Sequence, residues 1–291
     1  MGKTSFVILF IFLFCGSIYG QGGHTPDSVV NKHPDPKLAA QGHLNYDFPQ
    51  FYKETGVFFT QPLRWKAEDW LAAGAVTAAA GIAFAFEKAP PQDSNFFKSR
   101  QYYKSLPVTL ARMYGEFYTI PVAFVGYAIA YFASGDGKFK KIAYEIGQTG
   151  IYAGLSVLAL KSIVGRARPL AFESGNNKFY PFTNPLKPNN HDAFPSGHTT
   201  AAFALTAVLS KNADLPWWGH ALLFIPATMT GISRIYQGNH WISDVLFGAG
   251  LGYFVGNWVY DEHERAEAKL QEKSAIEIKS LYPFTISVAL N

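Results

Sequence analysis

The 291-residue chain has a single cysteine, Cys15, and it lies in the N-terminal leader. Without that leader there is no disulfide framework, no cysteine-based zinc site and no thiol nucleophile. Charge is scarce too. Asp, Glu, Lys and Arg make up 16% of residues, against about 25% in an average soluble domain. The basic residues form no long run, and a net charge of +4 is far from what a nucleic-acid binder carries, so nucleic acid is excluded as a partner. The chain has no internal repeat, no low-complexity tract and no acidic cluster suited to a magnesium cage. What it has instead is apolar residues, 48% of the total, of which aromatics alone are 16%. That balance calls for a large apolar core, a membrane contact, or both.

Residues 1–20 pair Lys3 with an apolar stretch from Ser5 to Phe14 and then small residues. This is a secretory signal pattern, too short to read as a spanning helix. Phe14 is bulky where lipoprotein signals usually have a small residue, which argues against lipidation at Cys15. Residues 21–68 are polar and rich in Pro, Gly and Asn, and read as an extended arm. Apolar helical segments follow at Trp70–Phe86, Phe117–Phe132, Ile142–Val164, Thr199–Leu209, Trp217–Ile232 and Ile242–Tyr260, within a domain spanning 69–260. Glu145 and Gln148 in the third segment are costly in lipid. The Lys138, Lys140 and Lys141 loop favours a cytoplasmic side that conflicts with an exported N-terminus if every segment spans. The reading is an exported all-α bundle of about six helices, its site at one end, associated with the membrane. The tail 261–291 reads as a charged helix end followed, from 275, by a short hairpin.

Three segments carry chemistry. In the first, Lys161 and Arg168 share a face if one helix runs through both, and Pro169 ends that helix. Taken alone it reads equally well as a basic surface turn. In the second, Pro195-Ser196-Gly197-His198, Ser196 suits a helix N-cap and Gly197 allows close backbone approach. The helix start favours an anion, with His198 at its mouth; a capped helix with a surface histidine is the commoner meaning. In the third, Ser233-Arg234 precedes His240 and Asp244. Four residues apart on a helix, these two can hydrogen-bond, so that the carboxylate fixes the imidazole tautomer and frees the other nitrogen as a nucleophile. Arg234 offers a planar fork to phosphate oxygens. A purely structural His–Asp pair is the competing reading. Together the segments supply what phosphoryl transfer needs: positioning, charge neutralisation, a nucleophile and an acid. With Lys161, Arg168 and Arg234 present, no metal and no cofactor is called for.

Lys161–Arg168–Pro169, then Pro195–His198, then Ser233–Arg234–His240–Asp244 resembles the three-part signature of the type 2 phosphatidic acid phosphatase (PAP2) superfamily, without a departure. The signature covers residues 161–244. The resemblance implies an all-α fold and a phosphoric monoester hydrolase in which His240 becomes a phosphohistidine, Asp244 orients it, and His198 protonates the leaving oxygen. It implies that Lys161, Arg168, Arg234, Ser196 and the Gly197 amide hold the phosphate. The signature is not specific for the substrate, and the leading expectation is a phosphorylated lipid of the envelope. A soluble acid phosphatase acting on small phosphate esters, a vanadate haloperoxidase and a non-catalytic phospholipid-binding module are the alternatives.

Outside the signature, Gly248, Gly252 and Gly256 recur every fourth residue, as in close helix packing. Arg166 is a possible substrate contact, His191 a possible cleft residue, and His220 structural. His24, His33, His43 and His263 carry no signal. The polar loop 170–194 must border the site, and is expected to shape its entrance.

Overall fold

Helices dominate the computed structural model, which describes residues 44–91, 93, 95–171, 178–187 and 190–281. Eight α-helices are present among the described residues: α1 (Phe48–Phe59), α2 (Ala67–Phe86), α3 (Leu106–Met113), α4 (Thr119–Ser134), α5 (Gly137–Val164), α6 (Gly197–Asn212), α7 (Trp217–Tyr236) and α8 (Ile242–Leu281). Extended pairing among these residues is limited to an isolated bridge between Arg166 and Phe179. The six expected segments appear as α2 and α4 to α8. The described part of the arm is not extended. Asp47 caps α1 by accepting the Gln50 N–H at 3.0 Å, and Pro49 suits its first turn. Helix α8 continues through Leu281, so the first residues of the expected hairpin are helical. The leader, residues 21–43 and residues 282–291 lie outside the described residues.

Helix α8 packs along α6 with the two backbones nearly touching. A Cβ at Gly248 would come within 2.8 Å of the Ser196 carbonyl oxygen. One at Gly252 would strike the Thr200 carbonyl, and one at Gly256 would reach 2.5 Å from that of Ala204. Each step of four on α8 matches a step of four on α6, so the helices run parallel and both begin at the same end. On the other side of α8, Tyr152 of α5 stacks on Phe58 of α1 at 4.3 Å, with Trp258 beside them. The arm helix is thereby part of the core.

Glu145, Gln148 and Thr149 of α5 face inward, which is why they do not oppose an apolar exterior. Glu145 is fully buried and Gln148 donates to Glu54 of α1 at 2.7 Å. His263 of α8, which shows no signal in the sequence, is completely buried between Glu145 and Glu54, each 3.2 Å from one ring nitrogen. Burial pulls its pKa down, but the two carboxylates outweigh this and raise it to about 9. The clamp joins α1, α5 and α8; Lys141 near it and Lys161 at the other end of α5 are about 30 Å apart along the axis. On the outside, Leu71, Ile82 and Phe86 of α2, Phe132 of α4 and Trp217 of α7 are exposed. Among the described residues α2 is the helix long and apolar enough to cross a membrane, and 6% of its apolar window is buried.

Because the raised pKa exceeds the ordinary value of about 6.5, the stability contributed by His263 is fully present below about pH 6.5 and lost as pH rises through about 9. His263→Leu should destabilise the fold by about 3–5 kcal/mol, because two buried carboxylates lose their partner. Denaturant unfolding of both proteins at pH 6 and pH 10 checks this: the gap between them should narrow at the higher pH.

Candidate active site

Helix α5 stops at Gly165, which adopts φ 58° and packs so closely on the Tyr180 carbonyl that no Cβ fits. The helix therefore does not run through to Arg168, and the expected shared helical face does not form. Residues 166–168 are extended instead and pinned by the following loop. Ala167 N–H donates to Lys178 O, Arg168 N–H to Asn190 O, and Ala193 N–H to Arg166 O, at 2.8–2.9 Å. This brings Asp192, which no spacing marks in the sequence, onto both cations. Arg168 grips its carboxylate with Nε and Nη2, each at 2.7 Å. Lys161 Nζ lies 3.3 Å from Oδ2 and also donates to the Asp192 main-chain oxygen. Burial pushes Asp192 up, but the Arg168 fork and Lys161 hold its carboxyl below the usual range. Burial, with the Arg168 charge adding to it, lowers the Lys161 pKa.

The next residue, Ala193, sets the state of His240. Its carbonyl oxygen lies 2.6 Å from His240 Nδ1. A carbonyl only accepts, so Nδ1 carries the proton and Nε2 keeps its lone pair. The sequence assigned this task to Asp244, but α8 starts at Ile242. His240 thus precedes the helix, the helical spacing does not apply, and Asp244 Oδ2 stands 3.9 Å from Nδ1. Burial, then the charges of Lys161, Arg168, Arg234 and His198, drive the His240 pKa well below its ordinary value. The imidazole is neutral, and these four groups surround it.

Ser196 is the residue before α6, as expected, but its hydroxyl pairs with Thr199 Oγ1 at 2.8 Å rather than capping the backbone. Its N–H donates to the Asp244 carbonyl at 3.1 Å, which ties the starts of α6 and α8 together. Gly197 opens α6 beside Lys161, 3.8 Å from Lys161 Cε to its missing Cβ. Arg234 is buried at the end of α7; Nη1 donates to Gln237 at 2.8 Å, while Nε has no hydrogen-bond partner. His198 Nε2 likewise lacks one and lies 3.4 Å from Glu116, another residue the sequence does not reveal. Burial and then the Arg234 charge lower the His198 pKa to about 4, against the pull of Glu116. His191 stacks on Tyr180 at 4.0 Å in the loop that borders the site, and His220 meets Ser210 at 2.9 Å, away from it. Arg166 turns from the cations toward Asp244. Among the described residues no group of three or more His, Cys, Asp or Glu side chains is arranged to hold a metal ion.

A sequence profile of the PAP2 superfamily matches residues 146–267, which contain all three motifs. Over these residues the chain resembles the PAP2 superfamily. Lipid A 1-phosphatase of Porphyromonas gingivalis is 39% identical over 119 residues, 38% of this chain and 26% of that protein. Undecaprenyl-diphosphatase BcrC of Bacillus subtilis is 34% identical over 140 residues, 46% of this chain and 66% of that protein. The chain thus spans between a quarter and two thirds of these relatives. The crystal structure of a transmembrane PAP2 type phosphatidylglycerolphosphate phosphatase of Bacillus subtilis aligns over 91% of this chain and 98% of that one, at 16% identity and a TM-score of 0.39.

Asp192 places a carboxylate where Lys161 and Arg168 would receive phosphate oxygens. In Asp192→Asn the Lys161 bond to the main-chain oxygen remains, and Arg168 keeps the amide oxygen and Asn239 Oδ1 at 3.2 Å as acceptors, so both cations keep a partner with one competing charge removed. Inorganic phosphate should inhibit or bind this variant about tenfold more tightly, a change of about 1.4 kcal/mol, as titration calorimetry would measure.

Proposed function

We propose that the protein is a lipid phosphate phosphatase of the cell envelope that works through a phosphohistidine on His240 and needs no metal. The observation that carries this reading is a pair of buried nitrogens with no hydrogen bond, one of them 3.4 Å from Glu116. Arg234 Nε and His198 Nε2 lie beside a neutral His240 with a free Nε2 lone pair and two further cations. Such groups match a phosphoryl centre, whose equatorial charge needs fixed positive partners. In this scheme Lys161, Arg168, Arg234 and the Gly197 amide hold the phosphate oxygens, with Ser196 fixing the loop beneath. His240 Nε2 attacks phosphorus while the bond to the leaving oxygen breaks. His198 gives that oxygen a proton, then takes one from the water that cleaves the phosphohistidine, releasing orthophosphate and restoring His240. His198 is deprotonated at rest, since its pKa is about 4. A bound phosphate dianion offsets the Arg234 charge and raises that pKa, so substrate arms its own acid.

The relatives named for lipid A and undecaprenyl diphosphate support a lipid substrate, as does the apolar exterior of α2, α4 and α7. In this reading the outer helices contact the bilayer, and the leader directs the chain out of the cytoplasm. Exposed Phe179, Phe182 and Leu186 in the loop next to Asp192 would meet the lipid part of the leaving group.

Phosphate release is to be measured with excess EDTA from phosphatidic acid, lipid A and undecaprenyl diphosphate in micelles, beside p-nitrophenyl phosphate. Turnover of at least one lipid is expected, with a loss of about 10³-fold or more in His240→Ala. Release from the soluble ester alone would mean an acid phosphatase, bromide oxidation with vanadate and peroxide a haloperoxidase, and phosphate binding without turnover a binding module.

A further inference from the structure

Behind His240, on its Nδ1 side, lies a closed ring of charge. Arg166 is 2% exposed. Its Nη1 donates to Asp244 Oδ1 at 2.5 Å and to Ser243 Oγ at 2.7 Å, and its Nη2 donates to Glu87 Oε2 at 2.6 Å. Glu87, the residue that ends α2, accepts the Ser243 N–H on its other oxygen at 2.7 Å. Asp244 Oδ2 accepts the Trp241 N–H at 2.8 Å. The guanidinium is sandwiched by Phe84 and Trp241, 4.9 and 5.2 Å from the ring centroids. The end of α2, the segment after α5 and the start of α8 therefore meet at one arginine.

An ion pair serving stability alone has no need to face the nucleophile. This one does: Asp244 stands 3.9 Å from the nitrogen that bears the His240 proton. When Nε2 bonds to phosphorus, the imidazole becomes cationic, and an ionised carboxylate at that distance stabilises it. Asp244 is fully buried, and a buried carboxylate stays ionised only if a cation holds it.

Resting on the phosphatase reading above, we propose that Arg166, braced by Glu87, is a positioning residue for catalysis. It keeps Asp244 ionised and fixed behind His240 as the phosphohistidine forms, and it does not touch substrate. The groups facing Asp244 are Arg166, Glu87, His240 and, further off, Lys161. Burial raises the Asp244 pKa and Glu87 adds to this, while Arg166 and the Trp241 N–H pull it down, leaving it at about 6. The acid limb of kcat then reports the protonation of Asp244, because the imidazole pKa lies far lower.

The test is the pH dependence of kcat and KM for wild type, Arg166→Gln, Arg166→Lys and Glu87→Gln, on whichever substrate the wild type turns over. Folding of each is checked by circular dichroism and inorganic phosphate binding. Arg166→Gln should lower kcat by about 100-fold with KM changed less than about threefold, and move the acid limb about one unit to higher pH. Arg166→Lys should restore part of kcat. Glu87→Gln should move the limb to lower pH while keeping most of the neutral-pH rate. Opposite shifts support the proposal. Unmoved limbs, or kcat and KM worsening together, overturn it while the phosphatase reading stands. An inactive wild type that folds and binds phosphate overturns both. If Arg166→Gln does not fold, the direction of the Glu87→Gln shift decides.

Discussion

The backbone contact between α6 and α8 sets the distance between the two histidines of the site. His198 is the second residue of α6 and His240 lies two residues before α8. With Gly248, Gly252 and Gly256 pressed on the carbonyls of Ser196, Thr200 and Ala204, the helices cannot slide without steric clash. The Ser196 N–H bond to the Asp244 carbonyl closes the same seam at the end that carries the site. The cations arrive from three other places: Lys161 from α5, Arg168 from the segment after it and Arg234 from the end of α7. In the phosphatase reading proposed above, a small error in the seam would put His198 and His240 out of reach of one phosphate.

Residues whose roles depend on local sequence were legible before any coordinates. The motif side chains converge as their resemblance to a known signature implies, the apolar segments are helical, and the four-residue glycine spacing is a helix seam. What escaped depends on partners far along the chain. Asp192, Glu87 and Glu116 sit in irregular or capping positions where no periodicity marks an acidic residue as buried. Their meaning comes from Arg168, Arg166 and His198, brought to them by the fold. His263 sits in a charged stretch and reads as solvent-facing until Glu145 and Glu54, from two other helices, are seen around it. Helix α1 was hidden because its apolar residues are diluted by polar ones, and its face is defined only against Tyr152 and Trp258.

Spacing also misled where a helix was assumed to continue. Both the Lys161–Arg168 and the His240–Asp244 pairs have helical intervals, yet in each a helix boundary falls between the members. Gly165 ends one helix between Lys161 and Arg168, and α8 begins after His240. Breaking the helix frees the side chains from a common stripe, so that they approach one point from different directions. If the site binds a phosphoryl group as proposed, it gains from this, whereas two side chains on one helical face would meet that group from one side only.

The hydrogen bond from His240 to the Ala193 carbonyl has an evolutionary consequence. A carboxylate that orients a histidine is lost with one codon change, whereas a main-chain oxygen is present whatever residue stands at 193. The tautomer of His240 is therefore shielded from substitution at its own partner, and drift there is filtered only by the space available, which for the fully buried Ala193 is small.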